Sequence, residues 1–157
     1  MMPYDSLDVA SFIARLCRER GFHYNNTKIQ KLLYCCYGSV LAAEGKRLCA
    51  EYPRAWQYGP VFPCVFNHIK KRGDIAAHSP DFSPEEPGLA VLLGKVIDIF
   101  GRHKAVPLSE WTHRPHSPWD TVVNRMDGEG AGLGNFIPDD LIRDYFRAHV
   151  LQGGAGA

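Results

Sequence analysis

The sequence predicts a mainly α fold: a single compact domain of about six or seven helices with a small two-stranded β element. Three observations lead to this prediction. The chain has 157 residues, which suits one domain. Apolar residues recur at helical spacing in several segments, and capping residues bound those segments. The stretch 47–58, RLCAEYPRAWQY, lacks helical periodicity and is interrupted by Pro53.

The first two helices are predicted at residues 6–20 and 27–44. Each carries apolar side chains at the i, i+3, i+4 spacing of a helix packed on one face. Asp5 or Ser6 can cap the first helix and Asn26 the second, because short polar side chains accept hydrogen bonds from free N–H groups. Gly21 and Gly45 follow the two helices as stop residues.

The non-helical stretch is predicted to hold two extended segments, around Leu48–Cys49 and Ala55–Tyr58. A two-stranded ribbon is marginal alone, so it must pack on the helices. The next helix is predicted to start at Pro60 or Pro63, since proline is tolerated in a first turn, and to stop at Gly73.

A long helix is predicted from Ser83-Pro84-Glu85-Glu86 to about Arg102, because that tetrapeptide matches a capping box. Three shorter helices are predicted: one at residues 106–113, one starting at Ser117-Pro118 and one starting at Pro138-Asp139-Asp140. The predicted domain spans 1–150, and residues 151–157, LQGGAGA, are predicted to form a flexible tail.

The charge balance predicts no association with nucleic acid or membrane through bulk charge. The formal net charge is +1, although the first half of the chain is net basic and the second net acidic. A basic face is expected near Lys28, Lys31, Arg54 and the run at 70–72. The simpler interpretation of such a face is solvent cover.

The cysteines predict a reducing environment, and the expected location is the cytoplasm. There are five, an odd number, and no C-x-x-C pair occurs, so neither a disulfide framework nor a zinc ribbon is indicated. Cys17, Cys36 and Cys64 fall at apolar helical positions, where a free thiol behaves as a small hydrophobe. No signal peptide or membrane-spanning stretch is recognised.

The stretch WTHRPHSPWD, residues 111–120, could be a catalytic site, a metal site or a structural clamp. Thr112 or Ser117 offers a hydroxyl beside the base His113, with Asp120 as a carboxylate, but no G-x-S-x-G elbow is present. His113 and His116 could begin a metal site, yet a full ligand set at familiar spacing is missing.

The clamp interpretation fits the local chemistry best. His113 is placed to end one helix, and Ser117-Pro118 to begin the next. Arg114-Pro115 forces an extended turn between them. Trp119 adds a large apolar ring with an N–H that needs a partner when buried. A rigid corner is therefore expected.

A second cluster, AWQYGPVFP at 55–63, combines aromatics with a Gly-Pro pair. Trp56 and Tyr58 alternate with Gln57, so in a strand they share one face. Gly59 permits a positive φ, and Pro60 stiffens the chain after it. Both core packing and a protein-binding hot spot fit this pattern.

Four segments in series, KIQKLLYCCYG, AWQYGPV, LSEWTH and SPW, resemble the Panacea domain, the SocA-like antitoxin family also called phage-associated protein. The resemblance covers roughly residues 7–147. It implies a helical, non-enzymatic antitoxin, without cofactor or metal, that neutralises a cognate protein toxin by binding it. In the SocA branch the domain acts as an adaptor that delivers its toxin to the ClpXP protease, which adds an unfoldase–protease as an alternative partner.

The resemblance also suggests which residues matter. Partner binding is expected to involve Lys28, Lys31, Tyr34, Trp56, Tyr58, His113 and Trp119. A structural role is expected for Gly59, Pro60, Thr112, Ser117 and Pro118. Cys35-Cys36 and Arg114-Pro115-His116 depart from the family pattern. A metal-dependent or Ser/His hydrolase at the Thr112–Trp119 corner remains an alternative. DNA binding is disfavoured because the connection GFHYNN is long for a helix-turn-helix and the second helix carries aromatics where a reading helix would carry Arg, Asn or Gln.

Overall fold

The mainly α prediction is confirmed by the computed structural model, which describes residues 1–151. Seven helices and one two-stranded sheet make up this part of the chain. Their bounds are α1 Ser6–Glu19, α2 Asn26–Glu44, β1 Arg54–Trp56, β2 Gly59–Val61, α3 Pro63–Arg72, α4 Leu89–Phe100, α5 Ala105–Thr112, α6 Pro118–Asp120 and α7 Asp139–Phe146. A 3₁₀ turn lies at Ile75–Ala77, and π-helical turns extend α6 to Arg125 and α7 to Leu151.

The central helix is α2, which is buried on every side. All residues from 28 to 42 are buried, and α1, α3, α4, α5, α7 and β2 pack around them. Gly38 lets α7 approach, because a Cβ there would overlap the ring of Phe146. Helices that are buried all round form the core of a domain, and here α2 supplies most of that core.

Several predicted helix boundaries are confirmed by their caps. Asp5 accepts a hydrogen bond from the N–H of Leu7 at the start of α1. Gly45 closes α2 with a φ of +70°. Pro63 is the first residue of α3, as one of the two predicted prolines, and Gly73 follows its end. The cap of α2 is Asn25 rather than Asn26, one residue before the predicted position.

The predicted helix start at Ser83 is wrong, because α4 begins only at Leu89. Pro87 disfavours helical geometry at Glu86, and Gly88 then turns the chain with a φ of +80°. The carboxylate of Glu86 does not close a capping box. It accepts hydrogen bonds from the N–H of Met2, at 2.7 Å, and from the hydroxyl of Tyr4.

The predicted pairing of the β element is also wrong. Arg54–Trp56 pairs with Gly59–Val61 as an antiparallel hairpin, with Gln57-Tyr58 as its two-residue turn. The turn lies inside the segment that was expected to be one strand. Cys49 forms a bridge with Tyr4 instead, so the Leu48–Cys49 segment anchors the N-terminus.

Three further expectations concern Cys64, membrane-spanning helices and the C-terminal tail. Cys64 is exposed rather than buried, because the first turn of α3 directs Val65 and not its neighbour into the core. Within residues 1–151, no helix is long and apolar enough to cross a bilayer. Residues 152–157 of the predicted tail lie outside the described residues.

Candidate functional site

The corner between α5 and α6 is joined by one buried hydroxyl. Thr112 is the last residue of α5, and Ser117 is the N-cap of α6. The hydroxyl of Ser117 donates to the carbonyl of Thr112 at 2.8 Å and accepts from the N–H of Asp120 at 3.1 Å. It therefore satisfies a carbonyl at the end of one helix and an N–H at the start of the next. The interpretation of Ser117-Pro118 as a helix start is confirmed.

Replacing Ser117 by alanine should lower the free energy of unfolding by about 1–2 kcal/mol, since both an N-cap and a buried hydrogen bond are lost. Urea denaturation monitored by circular dichroism measures this change. Ser109→Ala on the same corner is a suitable control, since its side chain makes no hydrogen bond in the described part of the chain and should cost less. An unchanged midpoint for Ser117→Ala would contradict the capping role.

His113 and Trp119 hold the hairpin turn against this corner. Their ring centroids lie 3.8 Å apart. The indole Nε1–H of Trp119 donates to the carbonyl of Trp56 at 2.7 Å. The Nε2 atom of His113 lies 3.2 Å from the carbonyl oxygen of Gln57. Two of the sequence clusters thus meet in space, and the corner clamps the turn of the hairpin.

The motif on α2, KIQKLLYCCYG, contacts the other side of the same hairpin. The ammonium of Lys31 donates to the carbonyl of Pro60 at 3.0 Å. Gly59 lies between Lys31 and Thr112, at a φ of +118°. A Cβ at position 59 would lie 2.8 Å from Cε of Lys31 and 2.7 Å from Oγ1 of Thr112. Only glycine fits this close approach.

Lys31 should make stability depend on alkaline pH. Burial lowers the pKa of its ammonium from the ordinary 10.5 to about 8. Between these two values the unfolded chain keeps a proton that the folded chain has lost, so stability rises with pH there. The stability of the wild type minus that of Lys31→Met should therefore increase by about 2 kcal/mol from about pH 7.5 to about pH 9.5.

Urea denaturation across this pH range tests the prediction, with the exposed Lys46→Met as the matched control. The difference between the wild type and Lys46→Met should stay flat. A difference for Lys31→Met that is equally flat would mean that Lys31 is not desolvated in the folded chain.

The expected basic face at Lys28 and Lys31 is wrong, because both side chains are buried. Lys28 is 6% exposed and its ammonium donates to the carbonyl of His23, whereas Lys31 is 1% exposed. The ring of Tyr34 is 1% exposed and packs edge-on against Phe146. All three side chains are therefore buried in the chain, whereas an exposed partner-binding position is predicted for each from the sequence.

The remaining predicted contact residues divide between core and surface. Trp119 is buried, so its ring belongs to the clamp rather than to a free surface. Trp56 and His113 are half-buried, and the ring of Trp56 packs against Phe66. Tyr58 is 71% exposed at the tip of the hairpin. Of the seven side chains predicted to bind a partner, Tyr58 is the one that projects fully into solvent.

Gln30, for which the sequence predicts no specific role, also holds the hairpin. Its side-chain oxygen accepts from the N–H of Phe62 at 2.8 Å, and its amide donates to Asn26 at 3.0 Å. A buried amide among apolar helix residues is unusual. That position could have marked Gln30 as a residue that bonds a neighbouring backbone.

The arrangement does not assemble a hydrolytic triad. The ring nitrogens of His113 face the carbonyl oxygens of Ser109 and Gln57, at 2.5 and 3.2 Å, whereas Ser117 bonds Thr112 and Asp120. A nucleophile needs its base within hydrogen-bond reach, and the base needs an orienting group. The hydroxyl of Thr112 lies 3.3 Å from Nδ1 of His113, but it donates to the carbonyl of Ser109 at 2.6 Å, and the carboxylate of Asp120 bonds Arg125 rather than His113. In residues 1–151 no group of three or more metal-ligating side chains is found.

Asp120 is occupied in stabilising the start of α6. Burial opposes its charge, but hydrogen bonds from Arg125, Asn124 and the N–H of His116 outweigh this effect and lower its pKa to about 2. It is therefore ionised, and its hydrogen bonds come from these three groups rather than from His113. The geometry is that of a clamp.

The clamp residues lie within a segment that matches a known protein family. The sequence profile of the family described as "Antitoxin SocA-like, Panacea domain" matches residues 29–120, more than half of the chain. The protein "Antitoxin SocA" of Caulobacter vibrioides (strain NA1000 / CB15N) is 29% identical over 156 residues, which cover 91% of this chain and 82% of that protein. No solved structure matches the chain.

Proposed function

Because this chain belongs to the SocA-like, Panacea-domain family of antitoxins, we propose that it neutralises a cognate protein toxin by binding it directly. The observation that carries the proposal is the hairpin tip. Side chains from α2, from α6 and from His113 at the end of α5 bond the hairpin backbone in and on both sides of one two-residue turn, and Tyr58 projects from that turn into solvent. A large aromatic side chain on a preorganised support is typical of a binding hot spot.

The clamp geometry supports a binding role over a catalytic one. The hydroxyl of Ser117, the imidazole of His113 and the carboxylate of Asp120 are each engaged in separate hydrogen bonds. The alternative hydrolase at this corner would require these groups to rearrange. We therefore assign no cofactor, metal or reaction to the chain.

The proposed setting is the cytoplasm. All five cysteines are unpaired, and four of them are buried. Burial raises the pKa of Cys17, Cys35, Cys36 and Cys49, which keeps these thiols protonated. Free thiols of this kind are usual where the environment is reducing.

Co-expression with the product of the adjacent open reading frame tests the proposed function. Growth is scored with and without the antitoxin candidate, and the two proteins are then co-purified through a tag on one of them. We expect growth to be restored and a stable complex to be recovered. A harmless neighbour that forms no complex would contradict the proposal.

Two other outcomes identify the alternatives. Restored growth with disappearance of the toxin, only in cells that contain ClpX, would favour the adaptor that the resemblance to the SocA branch suggests. Stoichiometric metal in the purified chain, measured by elemental analysis, would favour a hydrolase at the Thr112–Trp119 corner instead.

A further inference from the structure

A surface groove runs from the hairpin tip across the start of α5. Its first half has a volume of about 610 Å³ and is lined by Thr27, Tyr58, Val106, Ser109, Glu110 and His113. Its second half has a volume of about 600 Å³ and continues past Val106 towards Phe22, Lys28, Arg102 and Lys104. Val106 lines both halves, so they adjoin at this residue, and we call the two together the tip groove.

The apolar groups of the tip groove are more exposed than is usual for such side chains. Tyr58 is 71% exposed and Val106 is 68% exposed. Among residues 1–151, Tyr58 stacks on no other aromatic ring and its hydroxyl makes no hydrogen bond. Another exposed aromatic, Tyr52, differs because it stacks on Phe136 and Arg47. Covering the ring of Tyr58 would therefore remove apolar area from water that no neighbouring ring shields.

The charges along the tip groove are asymmetric. The exposed charged side chains that line its second half, Arg102 and Lys104, are both basic, whereas Lys28 lines it with a buried side chain. Arg102 and Lys104 are exposed, and neither makes an ion pair within the described residues. The lining carboxylate of the groove belongs to Glu110, in the half that contains Tyr58. Charge complementarity thus favours acidic groups at the Lys104 end.

We propose that the tip groove binds an acidic segment of the toxin. An apolar side chain of that segment inserts between Tyr58 and Val106, and its carboxylates face Arg102 and Lys104. Glu110 repels carboxylates from the Tyr58 end and so sets the direction of the segment. This inference rests on the proposed function, because it names the surface through which neutralisation by binding occurs.

Binding measurements with the purified product of the adjacent open reading frame test the groove. Its affinity for the wild-type chain and for each variant is measured by isothermal titration calorimetry. Tyr58→Ala should weaken binding at least about 30-fold, as truncation of a hot-spot side chain does. Lys104→Glu should weaken it at least about 10-fold and flatten its dependence on salt concentration.

Matched control variants are available elsewhere on the surface. Tyr52→Ala removes an exposed aromatic outside the groove, and Lys46→Glu reverses an exposed lysine after α2. Both should bind within about 3-fold of the wild type, since residues outside the interface contribute little to the binding free energy. Thermal melting of all four variants separates loss of binding from loss of folding.

The outcomes distinguish the two proposals. Wild-type binding with unchanged affinity in Tyr58→Ala and Lys104→Glu would overturn the groove and leave the proposed function standing. Absence of wild-type binding would overturn both. A groove that instead joins two copies of this chain would appear as a change in sedimentation mass of Tyr58→Ala without a change in toxin affinity, and this result would also overturn the inference.

Discussion

Trp119→Ala is expected to lower the free energy of unfolding by about 4 kcal/mol, because a large buried ring is removed from a rigid site. The indole packs on His113 and donates its N–H to the carbonyl of Trp56, so the substitution opens a cavity and also releases the hairpin. For a domain of this length such a loss corresponds to a fall in Tm of about 8–16 °C. Urea denaturation at fixed pH and salt gives the free energy directly.

Trp119→Phe is the matched control for this prediction. It retains most of the apolar contact but loses the N–H donor, and should cost about 1–2 kcal/mol. A loss below about 1 kcal/mol for Trp119→Ala would mean that the ring is not part of the core, and the clamp would have to be abandoned.

Gly59→Ala is expected to lower the free energy of unfolding by about 3 kcal/mol. A φ of +118° strains any residue with a Cβ, and the added methyl would press on Lys31 and Thr112. Backbone strain of this kind costs about 1–3 kcal/mol, and overpacking adds about 1–3 kcal/mol. Chemical denaturation of the purified variant measures the sum.

Gly45→Ala separates the two causes. Gly45 also has a positive φ, at +70°, but a Cβ there would meet no atom within 4 Å. It should cost only about 1 kcal/mol from the backbone. Equal losses at positions 45 and 59 would show that the contacts with Lys31 and Thr112 do not matter, and that the hairpin is not gripped from both sides.

Most helix boundaries could be predicted from the sequence because they depend on local chemistry. Asp5, Gly45, Gly73 and Ser117 each act on backbone groups within a few residues. The predicted start of α4 is wrong because two local signals compete. The capping pattern at Ser83 favours a helix there, but Pro87 disfavours helical geometry at Glu86. The carboxylate of Glu86 accepts a hydrogen bond from the N–H of Met2 instead.

The position of the hairpin turn could not be read from residue types alone. Trp56, Gln57 and Tyr58 alternate as a strand would, but the chain reverses at Gln57-Tyr58 because distant groups hold it there. Those groups are the side chains of Lys31, His113 and Trp119. They lie within hydrogen-bond distance of the backbone carbonyls of Pro60, Gln57 and Trp56, respectively. Such long-range contacts leave no periodic pattern in the segment that they bend.

The burial of Lys31 has a signal in the sequence. The run after it, LLYCCYGSVLAA, is apolar or small on all faces, which indicates a helix surrounded by protein. A lysine at the start of such a helix is then expected to seek a buried acceptor rather than solvent. The carbonyl of Pro60 is that acceptor.

Hydrogen–deuterium exchange of the chain, alone and with the co-purified toxin, tests the central claim most directly. The claim is that a clamped hairpin presents Tyr58, which lines the tip groove, to a directly bound toxin. We predict that the toxin slows amide exchange in residues 57–59 and 101–110, and that the exchange rates in α3 stay unchanged. Protection confined to other surfaces would contradict the claim.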